Sequence, residues 1–208
     1  VCVFDGDGDS WRHELYPDYK AGHSPMPEAL ESALDSYREA FREIGVSSLT
    51  RPRLEADDVI ATIACKAVAA GASATILSTD KIFLGLLPKG VRVRDHFKGI
   101  DFEAKEVIKK FGVQPEQLVD FLALAGDRGN GINGVPGIGP KTASELLSRF
   151  ETLAEALDAA DDLEGKLGER LRDHADTARL CYRLIGLRTD LDLETNLSEL
   201  RYDRGPGG

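Results

Sequence analysis

The sequence has few cysteines, and the three that it has do not form a recognisable pattern. Cys2, Cys65 and Cys181 are odd in number and far apart, which fits neither a disulfide framework nor the closely spaced pairs of a zinc site. The chain also lacks a run of about 18 apolar residues and a basic start followed by an apolar block. We therefore expect reduced, structural thiols and a cytoplasmic protein with neither a membrane span nor a signal peptide.

Basic residues are scarce as well. The chain has 26 Lys and Arg against 36 Asp and Glu, a formal charge of -10, which taken alone argues against a nucleic-acid-binding protein. The charges are segregated, however: residues 151–164 contain six acids and no base, whereas residues 88–98 contain four bases and one acid. A basic face can therefore form, and we interpret the acidic run as a solvated helix surface or turn.

The 208 residues, 42% of them hydrophobic, can bury one good core. Strand-like and helical patterns alternate at first, with strands predicted at 1–4, 72–77 and 91–94 and helices at 27–44 and 56–70. Beyond residue 101 only helices are predicted, at 102–111, 115–125, 140–150, 153–160 and 165–186. This order favours an α/β core with a mostly parallel sheet, residues 1–100, and a helical C-terminal portion, residues 101–208, packed as one compact unit.

Acidic residues follow two of the predicted strands and open one of the predicted helices. Asp5 and Asp80 come directly after strands, where sheets of this class place their chemistry. Glu55, Asp57 and Asp58 open a helix; acids there can simply cap free amides and complement the helix dipole, although three in four residues exceed what a cap requires. Oxygen ligands of this kind suit Mg²⁺ or Mn²⁺, which serve phosphodiester hydrolysis by activating water, neutralising phosphate and orienting the attack.

A glycine-rich loop precedes the helix predicted at residues 140–150. Gly134, Gly137 and Gly139 come before Pro140 and Lys141. Glycines let phosphates approach backbone amides, and the helix N-terminus adds a positive dipole. The loop is therefore a candidate phosphate-binding segment, with an ordinary helix–helix turn as the alternative.

Together these segments resemble the successive signatures of bacterial 5′ nucleases. The matching stretches run from residue 1 to about 190, namely 4–5, 12–13, 16–21, 55–58, 78–81 and 134–141. That family includes the 5′ nuclease domain of DNA polymerase I, phage flap endonucleases and stand-alone exonuclease IX-type flap endonucleases, the last being the nearest subgroup. The resemblance implies a PIN-like 5′ nuclease fold with a helical arch, about residues 18–45, and a helix-three-turn-helix hairpin, about residues 116–150. It also implies a first strand, with its own Asp, that would precede Val1.

The resemblance further assigns roles to individual residues. Catalysis and Mg²⁺ or Mn²⁺ binding would fall to Asp5, Glu55, Asp57, Asp58 and Asp80, with Asp127 at a second metal. Tyr19 would stack on a base and Lys20 would neutralise the scissile phosphate at the mouth of the arch, near residues 25–44; an exposed turn is the alternative for this pair. DNA contacts would come from Arg12, Gly137, Ile138, Gly139, Pro140, Lys141 and Thr142. K⁺ would bind backbone carbonyls of Leu124, Ala125, Asn133, Val135 and Ile138.

Two departures from the family pattern bear on the metal site. Ile82 and Asn130 stand where polymerase-linked members carry aspartate, so a single metal site or a weak second one is expected. The leading prediction is a monomeric, divalent-metal-dependent nuclease that cuts 5′ flaps or 5′ ends of branched or nicked DNA. A catalytically silent DNA-structure-binding protein is the second hypothesis, and a phosphatase-like or ribonuclease-like carboxylate enzyme is the third.

Overall fold

The computed structural model describes residues 1–22, 24 and 26–202. The chain divides into two compact units, the first formed by Val1–Ala67 with the segment that begins at Arg188, the second by Val68–Leu187. The sequence-based boundary near residue 100 differs from this division. The 3-10 helix Lys81–Lys89 packs against both the strand that follows it and the helices beyond residue 101, so these segments share one unit.

As far as its residues are described, the first unit combines a short parallel sheet with three α-helices and a 3-10 helix at Leu197–Leu200. Its elements in chain order are β1 (Cys2–Val3), α1 (Trp11–Leu15), α2 (Glu28–Glu43), β2 (Ser48–Leu49) and α3 (Ala56–Ala69). β1 and β2 pair in parallel, with Cys2 opposite Ser48 and Val3 opposite Leu49. Because the strands are parallel, the chain leaves β1 and β2 at the same edge of the sheet, and Asp5 and Glu55 follow those ends.

The core of the first unit is small and apolar. Leu49, Val59 and Leu193 are buried together, with Val3 and Leu54 among the partly buried residues packed against them. This arrangement fits a sheet covered by the apolar face of α3 and a returning C-terminal segment.

Helix α2 confirms the helix expected from the arch segment, because its bounds, Glu28–Glu43, differ by one residue at each end from residues 27–44. No residue of α2 is fully buried. The helix is fixed on one side, where the ring of Phe41 lies 6.4 Å from that of Phe4 and the guanidinium of Arg38 lies 5.0 Å above the Phe4 ring. Pro25, which falls within the expected arch, lies outside the described residues.

The second unit contains a mixed sheet of three strands. β3 (Thr75–Leu77) pairs in parallel with β4 (Arg92–Asp95), and β5 (Ile100–Asp101) pairs antiparallel with β4. The parallel pair agrees with the expected sheet. The antiparallel strand was not expected, because residues 100–101 are too few to show an alternating pattern.

Six helices complete the second unit: α4 (Ala104–Phe111), α5 (Leu118–Ala125), α6 (Pro140–Leu147), α7 (Leu153–Asp158), α8 (Gly165–Asp173) and α9 (Ala175–Ile185). The single long helix expected at 165–186 is wrong. His174 (φ -119°, ψ 21°) leaves the helical conformation and separates α8 from α9. None of the helices in the described part of the chain is long and apolar enough to cross a membrane.

Candidate active site and nucleic-acid interface

In the first unit, Asp5 is held at the start of helix α3. Its Oδ1 atom accepts a hydrogen bond from the backbone N–H of Ala56 at 2.7 Å. Ala56 lies between Glu55 and Asp57 in the chain, so the carboxylate after β1 is brought beside the acids that open α3. Asp5 is exposed and Asp57 is half-buried. The structure thus places the carboxylate that follows β1 at the start of the helix that the acids at 55–58 open.

Glu55 accepts hydrogen bonds from three side chains, those of Ser10, Tyr19 and Lys20. Its Oε1 accepts a hydrogen bond from the Ser10 hydroxyl at 2.6 Å, and its Oε2 lies 2.7 Å from the Lys20 ammonium. Arg12 adds a cation 3.4 Å from Oε1. Burial acts to raise the pKa of Glu55, but the hydrogen bonds from Lys20 and Ser10 and the two cations outweigh it and hold the pKa below its ordinary value. Glu55 is accordingly an ionised carboxylate inside the protein, held by protein hydrogen-bond donors and two cations.

Tyr19 differs from the sequence-based expectation. Its ring is only 6% exposed and meets the His13 ring edge-on at 5.3 Å, so it offers no stacking surface to a base in this structure. The Tyr19 hydroxyl donates to Glu55 Oε2 at 3.3 Å. Burial and then the Glu55 charge raise the pKa of Tyr19 to about 12, so the phenol stays protonated and acts as a hydrogen-bond donor.

Asp58, expected to bind metal, is instead a structural carboxylate in this structure. Its side chain is fully buried, and both oxygens accept hydrogen bonds from the Arg12 guanidinium, at 2.7 and 3.0 Å. The Trp11 indole donates to Oδ2 at 2.8 Å and the Arg188 backbone N–H donates to Oδ1 at 2.9 Å. Four donors occupy the lone-pair positions of the carboxylate, which leaves none for an ion.

The same contacts revise the role of Arg12. It was expected to contact DNA, but it is 3% exposed and its guanidinium is committed to Asp58 and Glu55. Burial acts to lower the pKa of Arg12, and the hydrogen bond and charge of Asp58 more than compensate, so the net shift is upward. Arg12 therefore organises the carboxylates and presents no surface to a phosphate.

In the second unit, Asp80 and Asp127 are both engaged by neighbouring groups. Asp80 caps the 3-10 helix that follows it, because its Oδ1 accepts from the Ile82 backbone N–H at 2.9 Å. Asp127, 3% exposed, lies 2.7 Å from the Lys81 ammonium and accepts from the Asn130 amide at 3.0 Å. A cationic side chain thus neutralises the carboxylate that was expected to remain at a second metal site.

The carboxylates do not form a finished metal centre. Among residues 1–22, 24 and 26–202, no three His, Cys, Asp or Glu side chains are arranged to hold an ion. The chemistry of the donor set nevertheless fits a hard divalent cation in the first unit, because Asp5 is an exposed carboxylate held beside Glu55 and Asp57. In the second unit it fits poorly, since Lys81 already balances Asp127.

The glycine-rich loop of the second unit requires close backbone approach. Gly134 has φ +71°, and a Cβ there would lie 2.4 Å from the Gly126 nitrogen and 2.6 Å from the Leu124 oxygen. The Val135 N–H donates to the Leu124 carbonyl at 2.9 Å, and the Ile138 N–H donates to the Val135 carbonyl at 3.0 Å. The loop therefore folds back on the end of α5 and cannot accept a side chain at residue 134.

The far end of the loop is open to solvent. Gly137, Gly139 and Pro140 are exposed, Thr142 is half-buried, and Lys141 has an 89% exposed side chain with Glu145 3.9 Å away. Ile138 points into the core with 4% exposure, so among the expected DNA-contacting residues it can offer only its backbone. The order of α5, glycine loop and α6 matches the expected hairpin.

Several residues that shape these sites were missed by sequence reasoning. Ser10 and Trp11 are remote in sequence from Glu55 and Asp58, and the only signal for Ser10 is its position as the cap of α1. Lys81 could have been noticed because it follows Asp80 directly. Arg170, whose guanidinium donates to the Gly137 carbonyl at 2.9 Å, lies on a helix without a distinctive motif.

The fold defines the class of protein first. The structure superposes on bacteriophage T5 5′-exonuclease, which was solved with bound zinc, with a TM-score of 0.74 and 25% sequence identity, covering 90% of this chain and 73% of that one. The fold is therefore that of a 5′ nuclease, as expected.

Sequence comparison identifies the family. Residues 1–112 match the 5′-3′ exonuclease N-terminal resolvase-like domain, and residues 113–205 match the 5′-3′ exonuclease C-terminal SAM fold. The flap endonuclease Xni of Shewanella denitrificans is 45% identical over 204 residues, covering 98% of this chain and 81% of that protein. The flap endonuclease Xni of Aeromonas hydrophila is 46% identical over 207 residues, covering 99% and 78%. The chain belongs to the 5′-3′ exonuclease family, which confirms the predicted fold and the predicted class of hydrolytic nuclease.

Proposed function

We propose that this chain is a divalent-metal-dependent nuclease that hydrolyses phosphodiester bonds of 5′-flapped, branched or nicked DNA as a monomer in the cytoplasm. The observation that carries the proposal is the hydrogen bond from the Ala56 N–H to Asp5, because it holds the Asp5 carboxylate against the residue that lies between Glu55 and Asp57 in the chain. The relatives that are named flap endonucleases support the choice of DNA substrate.

Asp5, Glu55 and Asp57 would hold Mg²⁺ or Mn²⁺ in the first unit. A bound divalent ion lowers the pKa of a coordinated water and neutralises charge on the phosphate. In the second unit, Asp80 and Asp127 would contribute less, because Asp80 caps a helix and Lys81 neutralises Asp127. We therefore propose that catalysis depends mainly on one tightly bound divalent ion, in the first unit.

Lys20 supplies a positive charge at the edge of this carboxylate group. Its ammonium is 2.7 Å from Glu55 Oε2, and its side chain is 30% exposed. Burial acts to lower the pKa of Lys20, but the hydrogen bond and charge of Glu55 raise it overall. The Lys20 side chain is therefore a protonated, cationic ammonium at neutral pH. We assign Lys20 to the substrate phosphate and Tyr19 to orienting Glu55 through its hydroxyl.

The glycine loop and the start of α6 would grip duplex DNA without reading its sequence. Exposed Gly139, where a Cβ would meet nothing within 4 Å, leaves room for a phosphate beside the backbone, and Lys141 adds an exposed charge. K⁺ would be held by loop carbonyls from the set Leu124, Ala125, Asn133, Val135 and Ile138. In support of this, the Asn133 carbonyl packs against Gly126 and the Leu124 carbonyl packs against Gly134, where in each case a Cβ would come within 2.6 Å of the carbonyl oxygen. Comparing DNA affinity in KCl and LiCl at equal ionic strength tests the potassium site, which requires tighter binding in KCl.

Cleavage of a 5′-labelled flap substrate by the full chain tests the proposed activity. We expect Mg²⁺- or Mn²⁺-dependent products whose length reports whether the cut is internal or terminal. Asp57→Ala and Asp57→Asn, with folding verified by thermal melting, should abolish the products. The proposal is overturned if the wild-type chain shows no divalent-dependent cleavage above that of these variants.

The Lys81–Asp127 ion pair favours one alternative, a protein that binds branched DNA and cleaves it weakly. It is distinguished by titrating Mn²⁺ into the protein by calorimetry. The nuclease requires a saturable divalent site that is lost in Asp57→Ala, whereas a non-catalytic DNA-binding protein can bind DNA with no such site.

A further inference from the structure

Arg170, on helix α8 of the second unit, is packed directly against the glycine loop. Its Nη1 donates a hydrogen bond to the Gly137 carbonyl at 2.9 Å. Gly137 has φ +77°, and a Cβ at this residue would lie 2.6 Å from both the Cζ and Nε atoms of Arg170. The guanidinium therefore occupies the space that a side chain at residue 137 would need, at the exposed end of the loop.

Within the part of the chain that the structure describes, Arg170 forms no ion pair with an acid. No Asp or Glu in the described residues lies within 4.0 Å of its guanidinium nitrogens, whereas Lys141 has Glu145 at 3.9 Å and Arg172 has Asp161 at 3.8 Å. An arginine carries five N–H donors in a planar fork. One donor is used on the Gly137 carbonyl, so the others are available to a second acceptor beside the loop.

In a chain with a net charge of -10, an arginine without an acidic partner is a candidate contact for an anion. Its neighbour Gly137 is exposed, as are Gly139 and Lys141 further along the same loop. A phosphate that approached this exposed stretch would meet the remaining donors of Arg170, because the guanidinium is anchored there by the carbonyl hydrogen bond. Arginine suits this geometry better than lysine because its fork can bond a carbonyl and a phosphate oxygen at once.

We propose that Arg170 is a DNA-backbone contact, in which one arm of the guanidinium is fixed to the Gly137 carbonyl and the other bonds a phosphate of the duplex. This inference rests on the proposed function, since it takes the loop to be the DNA-binding segment. It extends the grip from the loop and α6 to α8, a helix that carries no recognisable DNA-binding motif.

The test is binding of labelled 5′-flap DNA and plain duplex DNA by fluorescence anisotropy, in EDTA and at several KCl concentrations. Arg170→Gln should weaken binding to both DNAs by the same factor, roughly two- to fivefold. It should also reduce the slope of log affinity against log salt by about one, as expected for the loss of one phosphate contact. Arg170→Lys should restore the salt slope but only part of the affinity.

Arg172→Gln is the matched control. Arg172 lies on the same helix and donates to a backbone carbonyl, that of Ala160, at 2.6 Å, so the variant loses the same charge and the same type of bond. Its salt slope should equal that of the wild type.

Gly137→Ala provides an independent perturbation, because its methyl group must displace the Arg170 guanidinium. The double variant Gly137→Ala/Arg170→Gln should weaken binding by less than the sum of the two single effects.

Two results would overturn the proposal. One is an Arg170→Gln protein with wild-type affinity and salt slope. The other is weaker binding with an unchanged slope that Arg170→Lys fails to improve, which indicates a purely structural role in holding the loop. Failure of the proposed function looks different, since the wild-type chain would then show no binding to either DNA or no metal-dependent cleavage.

Discussion

Arg12 and Asp58 form a bidentate ion pair in the interior of the first unit. The two Arg12 nitrogens lie 2.7 and 3.0 Å from the two Asp58 oxygens, and the side chains are 3% and 0% exposed. The pair joins helix α1 to helix α3 across 46 residues of sequence. Since Arg12 also lies 3.4 Å from Glu55, a buried structural pair directly supports the carboxylates of the candidate active site.

Removing one partner of this pair should destabilise the protein strongly. Asp58→Ala leaves a buried guanidinium without its carboxylate, which costs about 3–5 kcal/mol. Urea unfolding followed by circular dichroism measures the loss. Asp176→Ala is the control, because it breaks an exposed i,i+3 pair with Arg179, and such pairs contribute at most about 1 kcal/mol.

Unchanged stability of Asp58→Ala together with loss of Mn²⁺ binding would show that Asp58 is a metal ligand. If Asp58→Ala unfolded at the wild-type urea concentration but no longer bound Mn²⁺, its carboxylate would be a ligand and the hydrogen bonds from Trp11 and Arg12 would be secondary. Asp58→Asn helps to distinguish the cases, because it keeps the side-chain volume while it removes the charge.

Glu55 should make stability depend on pH in the acid range. Its folded-state pKa is lowered from 4.5, because the bonds from Lys20 and Ser10 and the nearby cations outweigh burial. A carboxylate whose pKa is lower in the folded state than in the unfolded state stabilises the fold at pH values above its unfolded-state pKa. This stabilisation is lost as the pH falls through the folded-state pKa. The difference in unfolding free energy between wild type and Glu55→Gln should therefore be constant at neutral pH and shrink below pH 4.5.

Lys20→Met is the companion variant for this measurement. It removes the hydrogen bond that lowers the Glu55 pKa most, so in its background the same difference should be smaller and its loss on acidification should be complete at a higher pH. A difference that stayed constant through the acid range in both backgrounds would contradict the assignment of an ionised, stabilised Glu55.

Sequence reasoning located the carboxylates and the glycine loop because both depend on short-range patterns. Asp5 follows an apolar strand, and the acids at 55–58 open a helix. The glycines precede Pro140, which lies in the first turn of α6. The partners of these groups could not be predicted. Ser10 and Glu55 are 45 residues apart and Lys81 and Asp127 are 46 apart, and no local pattern encodes which cation meets which acid. This is why Asp58 was assigned to metal binding and Arg12 to DNA binding, although the two side chains form an ion pair with each other.

The Lys81–Asp127 pair predicts a change in metal binding when the lysine is removed. Lys81→Met leaves the buried Asp127 with its Asn130 hydrogen bond but without its cation, which should lower stability by about 1–3 kcal/mol. Mn²⁺ should then raise the melting temperature of the variant more than that of the wild type, because a divalent ion can replace the ammonium.

Lys98→Met is the control for this effect. Lys98 also pairs with a nearly buried carboxylate, Asp95, at 3.0 Å, but in the β4–β5 connection. An equal Mn²⁺ response in both variants would indicate non-specific binding to any unpaired carboxylate. No extra response in Lys81→Met would show that Asp127 has no metal-binding role once freed.

Two glycines with nearly the same backbone conformation should respond very differently to alanine. Gly134 has φ +71° and Gly131 has φ +70°, but a Cβ at 134 would lie 2.4 Å from the Gly126 nitrogen, whereas a Cβ at 131 meets nothing within 4 Å. Gly131→Ala should therefore cost only the left-handed strain, about 1–2 kcal/mol. Gly134→Ala should cost more, because backbone atoms cannot move aside as a side chain can, and it should displace the loop and weaken duplex binding. Urea unfolding and DNA anisotropy of the two variants measure this contrast. Equal unfolding costs would mean that the loop relaxes freely around residue 134 and that close packing on the end of α5 does not fix its shape.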